Sequence, residues 1–297
     1  MSAQGSPGAP PAAPGAEVVV QEDADGLVQH VAERLLASVA AALDARPAPA
    51  PVHVVLTGGR VGGRALQAVA AAVGTADDDA AADRGAAGRG PAALDWSRVH
   101  LWFGDERFVE ATSEERNDVQ ARTALRAAPA LHAVHWHPMP AAGAGGDVPE
   151  GALVDAAARY AAELAEHADD LGPQGGAVPG VPVFDVLLLG VGPDGHVASL
   201  FPGRPTLDER GATVVVEDDA PKPPPLRLSL GLDAVRAADE VWLVVAGEDK
   251  AEAVARGLHP DEDLHRTPAA AARGRTATRW LLDRAAASRL AGGDHRG

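Results

Sequence analysis

Four stretches of this chain are apolar almost throughout instead of alternating: VHVVLT at Val52–Thr57, RVHLWF at Arg98–Phe103, FDVLLLGV at Phe184–Val191 and EVWLVVA at Glu240–Ala246. A strand with one wet face alternates polar and apolar residues, whereas a strand covered on both faces does not. Four such runs, separated by helical patterns, demand a mostly parallel sheet with helices on both faces. The helical patterns are present. Leu27, Val28, Val31, Leu35, Val39 and Leu43 recur at helical spacing and stop before Pro47. Further helices are expected over 64–73, 114–127, 154–168 and 249–257, with a last one around 281–290. Shorter strands are expected at 17–20 and 213–217. No repeat period is visible. The expected architecture is α/β, a single domain over 17–290 with a Rossmann-like sheet. Residues 1–16, rich in Pro, Ala and Gly, and 291–297 read as disordered tails. The small, polar stretch 74–93 reads as a loop insertion.

In open sheets of this kind ligands bind beyond the carboxyl ends of the strands. Three of the apolar runs end in glycine and charge: Gly58-Gly59-Arg60-Val61-Gly62-Gly63, Gly104-Asp105-Glu106-Arg107 and Gly192-Pro193-Asp194-Gly195-His196. The first is neither the dinucleotide fingerprint nor the P-loop pattern. Its glycines allow backbone N–H groups at a helix start to approach an anion, and they equally suit a plain strand-to-helix turn. In the second, Arg107 suits a phosphate or carboxylate, with Asp105 and Glu106 fixing its direction or touching sugar hydroxyls. A self-paired charge cluster at a strand end is the plainer alternative. The third carries the sharpest signal. His196 stands where a neutral imidazole takes a proton from water near neutral pH, and Asp194 stands where it orients that ring or the water. Gly192 and Gly195 permit the turn, and Ser199 falls one helical turn on if a helix begins there.

Charge and composition narrow the partners. A formal net charge of −16 excludes a general nucleic-acid binder, and it obliges any anion site to carry its own cations. Arg227, after a proline run, and Lys250, opening a helix in a chain with only two lysines, are candidates. The absence of cysteine removes disulfides, thiol catalysis and thiolate metal sites. No GxSxG elbow is present. His135 and His137 form a His-x-His pair beside His132, but no third ligand accompanies them at a sensible spacing, so no metal is expected. The N-terminus lacks the basic and apolar regions of a signal peptide, and no apolar run is of membrane-spanning length. A soluble, cytoplasmic monomer or small homo-oligomer is expected.

TGG at Thr57–Gly59, WFGDERFV at Trp102–Val109, LLLGVGPDGHVASLFPG at Leu187–Gly203, RLSL at Arg227–Leu230 and GEDKAEAV at Gly247–Val254 together resemble the 6-phosphogluconolactonases, from about Glu17 to Leu290. The resemblance implies the fold shared by glucosamine-6-phosphate deaminases and, more distantly, ribose-5-phosphate isomerases. It implies metal- and cofactor-free hydrolysis of 6-phospho-D-glucono-1,5-lactone, with His196 as general base, Asp194 as its acidic neighbour and Arg107 on the phosphate. Deaminase relatives carry Asn-Gly-His followed by Phe-Asn-Glu-Pro, where this chain has Asp-Gly-His and then Ser-Leu-Phe-Pro. Two departures stand out. The family's Gly-Gly-Ser-Thr-Pro is Gly-Gly-Arg-Val-Gly here, leaving Arg60 or bare backbone to replace a hydroxyl. The family's Ser-Asn is Arg116-Asn117, which keeps Asn117 without the serine. A sugar-phosphate deaminase or isomerase using the same histidine, and a sugar-phosphate sensor without turnover, are the alternatives.

Overall fold

The computed structural model describes residues 15–74, 90–144, 148–168 and 178–290. The two tails, apart from Gly15 and Ala16, and most of the 74–93 insertion lie outside these residues. Among the described residues ten strands and six α-helices follow in chain order: β1 Glu17–Gln21, α1 Ala24–Ala45, β2 Val52–Leu56, α2 Gly59–Gly74, β3 Val99–Phe103, β4 Asp105–Arg107, α3 Asn117–Leu125, β5 His135–Trp136, α4 Ala152–Glu166, β6 Val186–Gly190, β7 Val214–Glu217, β8 Arg227–Leu230, α5 Leu232–Arg236, β9 Glu240–Val245, α6 Ala251–Gly257 and β10 Ala277–Asp283.

The apolar runs build a seven-stranded sheet in the order β1-β10-β9-β6-β2-β3-β5, every pair parallel. Both faces are covered, as the non-alternating pattern requires. Val54, Leu56, Val99 and Leu101 meet Leu35, Leu36 and Val39 of α1, Leu66 and Val69 of α2 and Leu125 of α3 on one face. On the other, α4 lays Tyr160 against Trp102, and its hydroxyl accepts the Phe103 N–H at 3.1 Å. Aromatics are only 3% of the chain, yet Trp102, Trp242 and Trp280 are all fully buried in strands, where each covers a large area. All six residues expected on the inner face of α1 are buried, and Asp23 starts that helix by accepting the N–H groups of Asp25 and Gly26.

Four expectations are corrected. The segment 281–290 is not a helix: β10 runs to Asp283 and turns follow. Trp280, Leu281 and Leu282 are buried between β1 and β9, and that burial outweighs the helix preference of the alanines beyond. Helix α2 begins at Gly59 rather than 64, so the glycine-rich stretch is the helix's own first turns. Helix α3 begins at Asn117 rather than 114, because the buried Glu106 carboxylate accepts the N–H groups of Asn117 and Asp118 at 2.8 and 3.0 Å. The charged run Asp105–Arg107 and the stretch after the prolines are strands, β4 and β8. With β7 they make a small antiparallel sheet in the order β4-β8-β7.

Candidate active site

Topology fixes where the site lies. Strands β2 and β6 are neighbours, but the chain leaves β2 toward β3 and leaves β6 toward β9 on the opposite side. The loops after β2 and β6 therefore part company and open a crevice at the carboxyl edge of the sheet. Strand β3 runs through Gly104 straight into β4, which carries Asp105–Arg107 over the same edge. The resulting cavity, of about 340 Å³, is lined by residues of all three loops together with Lys222, Arg227, Asp249 and Lys250.

The turn after β6 is held by its backbone. The Gly195 N–H donates to the Gly192 carbonyl and the Gly192 N–H to the His196 carbonyl, both at 2.9 Å. Gly195 has φ +94, and a Cβ at Gly192 would stand 2.1 Å from His196 Nδ1, so both glycines are dictated by the turn they make. That close fold brings His196 Nδ1 to 2.5 Å from Asp194 Oδ1. Burial alone would raise the Asp194 carboxyl, but the hydrogen bond and charge of His196, with Lys222 nearby, outweigh it and hold the pKa down at about 2. An ionised carboxylate only accepts, so Nδ1 carries a proton, and in the neutral ring Nε2 is the nitrogen with the lone pair. Phe201, its ring centre 4.6 Å away, backs the imidazole. Ala198, lining the cavity, is held at φ +48, a conformation an alanine adopts only under constraint.

No helix begins at His196; Val197 instead bridges Val191 and Leu200. Ser199 is consequently buried, and its hydroxyl donates to Asp105 Oδ2 at 2.7 Å. It holds the opposite wall in place. On that wall Asn117 donates to the Asp105 carbonyl at 2.8 Å and to its Oδ1 at 3.2 Å, while Arg107 Nη1 donates to Asn117 Oδ1 at 3.0 Å. Gly58 lies flush against this amide: a Cβ there would be 1.9 Å from Asn117 Oδ1. Arg107 Nη1 also reaches the Glu115 carbonyl, at 2.5 Å, whereas its Nε is buried with no partner among the described residues. A buried donor of that kind is costly unless an acceptor arrives.

Arg227 sits opposite Arg107 in the β4–β8 register. Its Nε and Nη2 donate to the carbonyls of Pro224 and Lys222, both at 2.9 Å, which fixes the guanidinium plane. Burial lowers its pKa, and Asp105 opposes that effect. Lys250 pairs with Asp249. Among the described residues, Arg107, Lys222, Arg227 and Lys250 face two lining carboxylates, Asp105 and Asp249, so the cavity is locally cationic in a chain of net charge −16. The N-terminus of α2 at Gly59 adds backbone donors.

Of the residues singled out in the sequence, Gly58, Gly59, Asp105, Arg107, Asn117, His196, Arg227 and Lys250 line this one cavity. Asp194, Gly195 and Ser199 shape it from behind. Arg60, on the exposed first turn of α2, lines two adjoining hollows with Arg64, the first of which shares Gly58, Gly59 and Lys250 with this cavity. Sequence reasoning missed Lys222 and Thr57. The rarity of lysine that singled out Lys250 applies equally to Lys222, and both lysines of the chain line this cavity.

The family model described as glucosamine-6-phosphate isomerases/6-phosphogluconolactonase matches residues 22–280. The 6-phosphogluconolactonase of Streptomyces coelicolor is 46% identical over 275 residues, 92% of this chain and 94% of that protein. That of Mycobacterium tuberculosis is 39% identical over 272 residues, 90% of this chain and 96% of that one. The solved structure of 6-phosphogluconolactonase from Trypanosoma brucei, 24% identical, superposes with a TM-score of 0.70 over 93% of this chain and 99% of its own, which is a likeness of fold. With matches over nearly its whole length, the chain belongs to the glucosamine-6-phosphate isomerase/6-phosphogluconolactonase family.

Proposed function

We propose that this protein is a 6-phosphogluconolactonase, hydrolysing 6-phospho-D-glucono-1,5-lactone to 6-phospho-D-gluconate with His196 as the general base. The observation that carries the reading is one cavity holding both a carboxylate-oriented imidazole and four cationic side chains. Its relatives of 46% and 39% identity bear that activity in their names. The volume suits a phosphorylated sugar ring.

The 6-phosphate sits among Arg107, Lys222, Arg227, Lys250 and the N–H groups at Gly58 and Gly59. This places the lactone carbonyl before His196. As a water oxygen adds to that carbon, its proton passes to Nε2, and the imidazolium is stabilised by Asp194. Cationic donors nearby stabilise the negative charge developing on the carbonyl oxygen. Collapse of the adduct breaks the bond to the ring oxygen, which takes the proton back from Nε2, and the new acid ionises into solvent. A lactone this reactive needs positioning and one base, so the mechanism uses no covalent nucleophile, cofactor or metal. The working protein is one domain over 17–290, cytoplasmic and a monomer or small homo-oligomer, with no nucleic-acid partner. Among the described residues no helix is long and apolar enough to cross a membrane.

Acid release from freshly generated 6-phosphogluconolactone, measured beside ammonia release from glucosamine 6-phosphate, tests the reading. It predicts strong acceleration of the first over spontaneous hydrolysis and none of the second. Ammonia release would establish the deaminase alternative, and saturable binding without acceleration would establish the sensor.

A further inference from the structure

Five of the chain's eleven histidines gather on the α4-covered face of the sheet, away from the crevice. His53 and His100 are paired across β2 and β3, His135 and His137 come from β5 and its exit, and His167 stands just past α4. In the sequence only the His135–His137 pair is visible. The fold brings other histidines to His137. One ring nitrogen from each of His100, His137 and His167 lies within 4.8 Å of the other two.

We propose that His100, His137 and His167 bind one divalent first-row transition ion, zinc foremost, at a structural site separate from the catalytic one. His100 precedes the end of β3 by three residues, which puts the cluster roughly 10 Å down the sheet from the crevice. Three imidazoles without carboxylate oxygens among the ligands select zinc, cobalt, nickel or copper over magnesium and calcium. Glu163 completes the arrangement: its carboxylate stands 2.7 Å from His137 Nδ1, so that nitrogen donates and Nε2 is left to ligate. His137 Nε2 is 2.9 Å from His100 Nδ1, with the rings nearly coplanar. Since His137 already donates through Nδ1, the shared proton belongs to His100. An ion takes that proton's place when His100 moves its hydrogen to the other nitrogen. Tetrahedral bonds of about 2.05 Å need the two nitrogens a few tenths of an ångström further apart, with each ring tilted so that its lone pair meets the ion and not the other ring. Trp102 stacks on His137 at 3.8 Å between ring centres and keeps the ring from turning away.

The test uses full-length, tag-free protein stripped with a chelator and titrated with zinc against a chromophoric competitor, with cobalt as a visible-absorption probe. The proposal predicts one equivalent bound at micromolar affinity or better and a tetrahedral cobalt spectrum. With zinc at about 100-fold excess over its dissociation constant, Tm should rise by roughly 5 °C. His137→Gln should abolish all three signals. Glu163→Gln keeps every ligand and should weaken binding about 10- to 100-fold, which covers the case in which the ligand variant folds poorly. His132→Gln, outside the cluster, should change nothing. Absence of stoichiometric binding would overturn the proposal. So would binding that survives His137→Gln or Glu163→Gln at wild-type strength, or that is lost in His196→Ala instead.

Discussion

A single methyl group at Gly58 should cripple substrate binding while sparing the chemistry. The Cβ of Gly58→Ala would lie 1.9 Å from Asn117 Oδ1 and 2.5 Å from its Cγ, so the amide must swing aside. Asn117 is only 5% exposed, and its displacement breaks the hydrogen bonds to Asp105 at 2.8 and 3.2 Å and the one from Arg107 at 3.0 Å. The Arg107 bond is charge-assisted, and such a bond is worth about 1.5–3 kcal/mol. If that much of the phosphate-holding energy is lost, KM rises about 10- to 150-fold. The catalytic pair sits on the separate β6 loop, so kcat should stay within a few-fold of wild type. Initial rates of acid release over a lactone concentration series separate the two constants. The double variant Gly58→Ala/Asn117→Ala isolates the cause: without the Asn117 amide, the added methyl should cost less than about threefold more. A wild-type KM for Gly58→Ala, or additive losses in the double variant, would refute this account of the wall.

Lys222→Ala and Lys250→Ala should each raise KM and reduce discrimination against the unphosphorylated lactone, by less than Arg107→Ala, because an ammonium lacks the directional fork of a guanidinium; competition by inorganic phosphate reads the same loss. The folded-state pKa of Asp194, about 2, lies below its unfolded value of 3.8, so its stabilising contribution is complete above about pH 4 and disappears as pH falls through 2. Its side chain is 36% exposed, and with solvent screening the contribution is about 1 kcal/mol. Urea unfolding should therefore find Asp194→Asn less stable than wild type by that amount near pH 5, with the gap narrowing toward about pH 2.

The sheet and the His196 turn were legible because they are local. A strand buried on both faces declares itself as an unbroken apolar run, and Gly-Pro-Asp-Gly-His is a turn whose geometry its own residues dictate. What escaped depends on partners distant in sequence. The start of α3 is set by Glu106, a carboxylate 11 residues upstream that no local signal connects to Asn117. Lys222 stands in a proline-rich loop and reaches the cavity through the small antiparallel sheet, whose three-residue β4 looked like a charged loop. The last strand, β10, was masked by the alanines after it. His100, His137 and His167 come from β3, the exit of β5 and the end of α4, so no spacing in the sequence announces that they meet.

Steady-state turnover of the phosphorylated lactone by wild type and His196→Ala tests the central claim most directly, with spontaneous hydrolysis subtracted. A positioned general base contributes about 10²–10⁴-fold, and the phosphate site is built from other residues. The variant should accordingly lose that factor in kcat while KM changes little. A His196→Ala protein with near-normal kcat would contradict the account, since no imidazole at the exit of β6 would then be needed to take the proton from water.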